Sequence, residues 1–183
     1  MPEKTDSLPY KKVLRYVYAV LKAARDKFNT PLFTTAIQKL VYLTLASYNI
    51  PLLQKSYRAY YYGPYSDDVA YALDILINHE YVDCERAKFG VLYTATEKEA
   101  PSLTKEEVEV SHIMEKLSKI YENALKDTVW LSELAKTHFL WTFYPSLRTP
   151  KKLSKKAGQI GWNLPPEKIK KYLSVLRNAN LLS

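Results

Sequence analysis

Few side chains in the sequence have the types and spacing that catalysis or metal binding requires. The three histidines, His79, His112 and His138, lie far apart along the chain. The lone cysteine, Cys84, excludes an internal disulfide and a four-cysteine zinc site. The four glycines form neither of the common phosphate-binding loops, G-x-G-x-x-G and G-x-x-x-x-G-K. We therefore expect a non-enzymatic protein with no cofactor and no metal, in which Cys84 is a buried, inert thiol.

The positive charge of the chain is concentrated at one end. The formal net charge is +8 over 183 residues, and residues 145–183 account for all of it, with nine basic residues and one acidic residue. A basic segment attracts polyanions and speeds the encounter with them. The alternative is a lysine-rich surface that is simply solvated.

The basic segment has the sequence signals of two short helices joined by a turn. Thr149 and Pro150 are typical of a helix start, Gly161 of a helix end, and Pro165-Pro166 of a second start. Two short helices with a glycine turn are the layout of a helix-turn-helix. The candidate nucleic-acid-binding residues on their outer faces are Lys151, Lys152, Lys155, Lys156, Lys168, Lys170, Lys171, Ser174, Arg177 and Asn178. We expect the lysines to contact phosphates, and the last three residues to be the only ones able to contact base edges.

A tyrosine-rich segment offers a second candidate surface. Tyrosine can stack on bases or anchor a protein partner, although a half-buried strand whose rings fill the core would have the same composition. Asp67, Asp68 and Asp74 lie beside this segment and favour a protein partner over nucleic acid. The candidate protein-interface residues are Tyr60, Tyr61, Tyr62, Tyr65 and Tyr71.

The elements that would position these residues are mainly helical, with a small β-hairpin. Apolar periodicity predicts the first helices, Pro51 is expected to end the second one, and Ser66 is expected to cap the third. This order is typical of a winged helix-turn-helix, so residues 1–100 are predicted to form a winged-helix-like module. Its predicted elements are helices at 10–28, 34–48 and 66–78, a strand at 57–62, a turn at Gly63-Pro64, and a hairpin at 81–86 and 91–96.

Residues 101–183 are predicted to form a helical module that ends in the basic helix-turn-helix. A capping box from Thr104 to Glu107 predicts the start of a long helix over 105–125, which could also mediate a homodimer. A further helix is expected over 129–142. The acidic residues of the third N-terminal helix argue against duplex recognition by that helix, because they would face phosphates.

Two motifs resemble known families. Gln38-Lys39-Leu40-Val41-Tyr42 followed by Tyr62-Gly63-Pro64-Tyr65-Ser66 resembles YwgA-like proteins and, more distantly, Panacea-type antitoxin domains, over roughly residues 35–85. The resemblance implies a helix-rich, winged-helix-like fold. Panacea-type domains neutralise toxins by protein binding, so the resemblance also implies an interaction module as the alternative to nucleic-acid binding.

No segment has the pattern of a targeting signal or a membrane span. Residues 1–9 are polar, and the longest apolar stretch, residues 40–46, is far shorter than the roughly 20 residues that a bilayer requires. We expect a cytoplasmic protein that binds either nucleic acid through its basic tail or a protein partner through the tyrosine-rich surface.

Overall fold

The computed structural model describes residues 9–103 and 105–182, and this part of the chain is mainly helical with a small antiparallel sheet. The first half contains α1 (Pro9–Phe28), β1 (Leu32–Phe33), α2 (Thr34–Tyr48), α3 (Ile50–Ser56), β2 (Arg58–Tyr60), β3 (Gly63–Tyr65), α4 (Asp67–Asn78), β4 (Val82–Ala87) and β5 (Gly90–Ala95). The second half contains a 3₁₀ helix (Pro101–Leu103), α5 (Glu107–Ile120), α6 (Thr128–Phe143), a second 3₁₀ helix (Pro145–Leu147), α7 (Pro150–Gln159) and α8 (Pro166–Asn178).

The strands form two separate antiparallel units. β4 and β5 make the hairpin expected at 81–96, with Val82 opposite Ala95, and β1 extends it in the order β1–β5–β4. β2 and β3 form a second, smaller hairpin. Cys84 lies on the edge strand β4 and is exposed, so the expectation of a buried thiol was wrong. The outer side of an edge strand has no neighbour to cover it.

α2 ends at Tyr48, directly before Asn49-Ile50-Pro51, as predicted. The short helix α3, which was not predicted, begins at Ile50, directly after Asn49. The side chain of Asn49 accepts a hydrogen bond from the Leu52 N–H and caps the new helix. Pro51 lies in its first turn, where a missing N–H group costs nothing.

The expected strand at 57–62 is instead the first half of the small hairpin. β2 ends at Tyr60, Tyr61 and Tyr62 form the turn, and Gly63-Pro64 belongs to β3 rather than to a turn. Gly63 has φ of +109° at the point where the chain turns back, a conformation that side chains disfavour.

The hydrophobic core is centred on α2. Residues 36–45 of this helix are all buried, and α1, α5 and α6 pack around it. Tyr48, expected on the inner face, is exposed and contacts His112 instead. The buried apolar residues from Val13 to Leu181 form one cluster. The division of the chain into two modules at residue 100 stays a prediction.

The long helix of the second half is shorter than expected. α5 ends at Ile120, while Val110, Ile113 and Leu117 are buried against the first half. The start of α5 is linked to α1 by an ion pair between Arg15 and Glu106, the residue before α5, whose side chains meet at 2.8 Å. Thr104, the first residue of the predicted capping box, lies outside the described residues.

Candidate functional site

Local hydrogen bonds and an apolar inner face hold the basic helix pair, α7 and α8, in place. The Thr149 hydroxyl accepts a hydrogen bond from the Lys152 N–H at the start of α7, as expected. Gly161 follows α7 with φ of +83°. Ser154 Oγ donates to the Leu164 carbonyl oxygen at 2.7 Å, which fixes the connection against α7. The pair is therefore a defined surface element with its charged residues pointing outward.

The candidate nucleic-acid-binding residues lie largely in solvent. Lys156 is half-buried, and the remaining nine are exposed: Lys151, Lys152, Lys155, Lys168, Lys170, Lys171, Ser174, Arg177 and Asn178. Among the residues that the structure describes, Lys168 is the only basic residue beyond 144 that pairs with a carboxylate, at 2.6 Å from Glu133. Most of the positive charge of this segment is thus not neutralised by those residues.

Aromatic rings lie against several cations of the basic segment. The guanidinium groups of Arg148 and Arg177 lie 4.8 and 5.6 Å from the centroid of the Trp141 ring. The ammonium of Lys156 lies 4.6 Å from the Tyr144 ring. Such contacts stabilise a cation without cancelling its charge, so its field still reaches the solvent.

The tyrosine-rich hairpin presents exposed rings at its turn. Tyr61 and Tyr62 are 76% and 72% exposed, and Tyr60 is packed against Tyr61 and Tyr65 with ring centroids 5.0 and 5.1 Å apart. Tyr71 is also exposed, but it contacts Tyr10 of α1 and is not part of this cluster. The structure therefore brings together four of the five tyrosines predicted to form an interface.

A tryptophan that sequence reasoning did not select joins the two candidate surfaces. Trp162, in the α7–α8 connection, is buried, and its Nε1–H donates to the Tyr60 carbonyl oxygen at 2.7 Å. Its ring also packs edge-on against Phe139 of α6. The tyrosine-rich hairpin is thus anchored directly on the basic helix pair.

The motif residues behind the family resemblance form a buried clamp between α2 and the start of α4. Gln38 Nε2 donates to the Ser66 carbonyl oxygen at 2.9 Å, and the Ser66 N–H donates back to Gln38 Oε1 at 3.0 Å. Tyr57 donates its hydroxyl hydrogen to the Gln38 carbonyl oxygen. Ser66 occupies the N-cap position as predicted, but its hydroxyl makes no capping bond.

The second residue of the motif, Lys39, is a buried amine. It is 2% exposed and donates to the Pro64 carbonyl oxygen at 2.8 Å. Burial, together with the charge of Lys136, lowers the pKa of Lys39 from its usual value to about 7. Lys39 also lines a cavity of about 200 Å³ between α2 and the hairpin β2–β3.

The sequence matches no model of a known protein family, and no curated protein is significantly similar to it. The resemblance to YwgA-like and Panacea-type proteins therefore stays a prediction. Within residues 9–103 and 105–182, no group of three or more histidine, cysteine or acidic side chains is placed to hold a metal ion. No helix in that same part of the chain is long and apolar enough to cross a bilayer.

Proposed function

We propose that the protein is a non-enzymatic nucleic-acid-binding protein that contacts its ligand through α7 and α8. One observation carries this proposal: apart from the half-buried Lys156, the lysines and the arginine of these helices are exposed, and only Lys168 pairs with a carboxylate of the described residues. A bound polyanion would neutralise that charge and would release its own counterions.

The type of side chain suggests what kind of binding to expect. Lysine is a compact point charge that fits phosphate, whereas base-edge recognition needs geometry that here only Ser174, Arg177 and Asn178 provide. Arg177 already stacks on Trp141, which restricts its freedom to reach a groove. Binding should therefore be salt-sensitive and only weakly selective for sequence.

We further propose that residues 1–100 are a winged-helix-like module that does not itself read DNA. The order α1, β1, α2, α4, β4, β5, with β1 paired to β5, supports this assignment. In that arrangement α4 would be the groove-facing helix, yet it presents Asp67 and Asp74 to solvent. Replacing Asp67, Asp68 and Asp74 by asparagine should leave nucleic-acid affinity unchanged.

The test is a fluorescence anisotropy titration of labelled DNA in two salt concentrations. With about four phosphates contacted, affinity should fall roughly a hundredfold between about 50 and about 200 mM salt. A variant of the basic helix pair should lose both affinity and salt dependence, because fewer counterions are released. The variant carries glutamine at Lys155, Lys156, Lys168 and Lys171.

The matched control removes the same number of charges elsewhere. It carries glutamine at four exposed lysines outside the helix pair: Lys55, Lys88, Lys119 and Lys126. The control should bind nearly as the parent does, apart from a small loss from reduced net charge. Equal losses in both variants would show that binding follows net charge alone and that the helix pair is not the site.

A second candidate function is recognition of a protein partner by the tyrosine-rich hairpin. The observation that favours it is the exposure of Tyr61 and Tyr62, since exposed clustered tyrosines are typical of interface anchors. A complex of this kind should survive high salt and be lost when both residues are replaced by serine. A complex that dissolves in salt but tolerates these replacements favours the helix pair instead.

A further inference from the structure

The buried amine of Lys39 has no structural counter-charge among the described residues. Its one hydrogen-bond partner there is the Pro64 carbonyl oxygen. A neutral amine can donate a hydrogen bond to a carbonyl oxygen, as an ammonium group does. The charge that acts on it is that of another cation, Lys136 of α6. A buried ammonium beside a second ammonium is disfavoured, so the surroundings favour the uncharged form.

The two lysines converge at the one residue of the hairpin that has no side chain. A β-carbon built on Gly63 would lie 3.3 Å from Lys39 Cε and 3.2 Å from Lys136 Cγ. The ammonium of Lys136 lies farther from Gly63, over the Trp162 ring, at 5.6 Å from the ring centroid. Gly63 also lines the cavity, so the end of the Lys39 side chain lies next to the cavity wall.

The cavity supplies a place for a small ligand. It measures about 200 Å³, and its walls include the rings of Tyr60, Tyr62 and Tyr65 and the first turn of α2. Since a water molecule takes about 30 Å³ of liquid volume, this space corresponds to a compound of roughly six heavy atoms. Tyr62 is largely exposed, so the cavity adjoins the protein surface.

We propose that Lys39 is a carbonyl-reactive amine and that this cavity takes a small uncharged aldehyde or ketone. A neutral amine that donates one N–H to the Pro64 carbonyl oxygen keeps its lone pair for attack on the carbonyl carbon. A C–N bond forms, the resulting carbinolamine loses its oxygen with the two amine hydrogens as water, and an imine remains. No oxidant, reductant or metal is needed, and desolvation beside a second cation is an established way to activate lysine.

The charged and titratable groups around Lys39 define how the reaction should depend on pH. Lys136 of α6 acts on it directly, the three tyrosines of the hairpin line the same cavity, and Glu133 and Lys168 act on Lys136. At neutral pH a substantial fraction of Lys39 should be uncharged, whereas an exposed lysine is almost fully protonated. Selectivity for Lys39 should therefore be greatest near neutrality and fall in alkali.

The experiment uses the full-length protein, butanal as the probe and cyanoborohydride to reduce the imine to a stable secondary amine. Peptide mapping by mass spectrometry then gives the butylated fraction at each lysine. Near neutral pH, Lys39 should be labelled at least about tenfold more than the mean of the exposed lysines. The same reaction in urea, where the chain is unfolded, should label all lysines alike.

Two variants separate a reactive amine from a merely buried one. Lys39→Arg keeps a donor for the Pro64 carbonyl oxygen but cannot form the imine, so the selective label should disappear while exposed lysines react as before. Lys136→Met removes the neighbouring cation, so the pH at which Lys39 labelling reaches half its maximum should rise. Labelling of Lys39 at or below the level of exposed lysines in the folded parent protein would overturn the proposal, as would a midpoint that Lys136→Met leaves in place.

Discussion

His138 should make the stability of the protein fall as the pH is lowered through mild acid. Its ring is buried, and its two nitrogens face the Tyr42 hydroxyl at 2.9 Å and the Leu181 carbonyl oxygen at 3.1 Å. A carbonyl oxygen only accepts, so Nε2 carries the hydrogen and Nδ1 accepts from Tyr42. Both partners are then satisfied by the neutral ring, whereas protonation would place a charge in the core and make Nδ1 a donor, which reverses the Tyr42 hydrogen bond.

The size and sign of the effect follow from the pKa of His138. Burial lowers it from the usual value of 6.5 to about 4, against the smaller opposing effect of the bond to Leu181. The unfolded chain therefore takes up a proton first, and stability that is complete above about pH 6.5 is lost as the pH falls towards 4. At about pH 5 the loss is about 2 kcal/mol, and its ceiling is about 3 kcal/mol.

Urea denaturation followed by tryptophan fluorescence measures this loss at about pH 8 and about pH 5. His138→Gln is the informative variant, because glutamine can both donate to Leu181 and accept from Tyr42 but does not titrate in this range. Whatever its absolute value, its stability should fall by about 2 kcal/mol less than that of the parent over that interval, and the lowered pKa of Lys39 accounts for part of the pH dependence that both proteins keep. His79→Gln, at an exposed ring, should keep the parent's pH dependence. Parallel curves for the parent and His138→Gln would refute the reasoning.

Three further substitutions test the clamp and the hairpin. Gly63→Ala should destabilise the fold by about 1–3 kcal/mol in urea denaturation, since the positive φ disfavours a side chain and the new methyl group would press on two lysine side chains. Gln38→Leu should cost about 2–4 kcal/mol by orphaning the Ser66 N–H and carbonyl, and Gln38→Glu should restore only the bond from the N–H. Trp162→Phe should cost about 1 kcal/mol and should speed hydrogen exchange in β2 and β3, because the Tyr60 carbonyl loses its donor.

The features that sequence predicts well here are those encoded by neighbouring residues. Thr149 and Pro150 start α7 and Gly161 follows it, because capping, fixed φ and positive φ are properties of single residues. Apolar periodicity likewise gave α1 and α2 with nearly correct ends. The same local reasoning correctly placed the end of α2 before Pro51 but did not predict α3, since a proline can begin a helix as readily as it can end one.

The features that sequence did not predict depend on contacts between distant residues. The hydrogen bond from Trp162 to Tyr60 spans 102 positions, and no periodicity links them. The sequence marks Lys39 only as part of a motif, because a lysine on a helix is normally expected to face solvent. Its burial follows from the approach of Gly63, whose missing side chain makes room for it.

The contact between Trp162 and Tyr60 also bears on which nucleic acid the protein would prefer. It places exposed tyrosine rings beside a basic helix pair, and a single strand offers both phosphates and unstacked bases to such a surface. In a duplex the bases are stacked on one another, so only its phosphates can contact this surface, through the cations. Single-stranded DNA should therefore bind more tightly than duplex of equal length.

Replacing Tyr61 and Tyr62 by serine should lower the affinity for single-stranded DNA alone by roughly tenfold or more, since each stacked base contributes about 1–3 kcal/mol. Equal losses for both forms in an anisotropy titration would mean that the rings do not touch bases, and the hairpin would then be better explained as a protein interface.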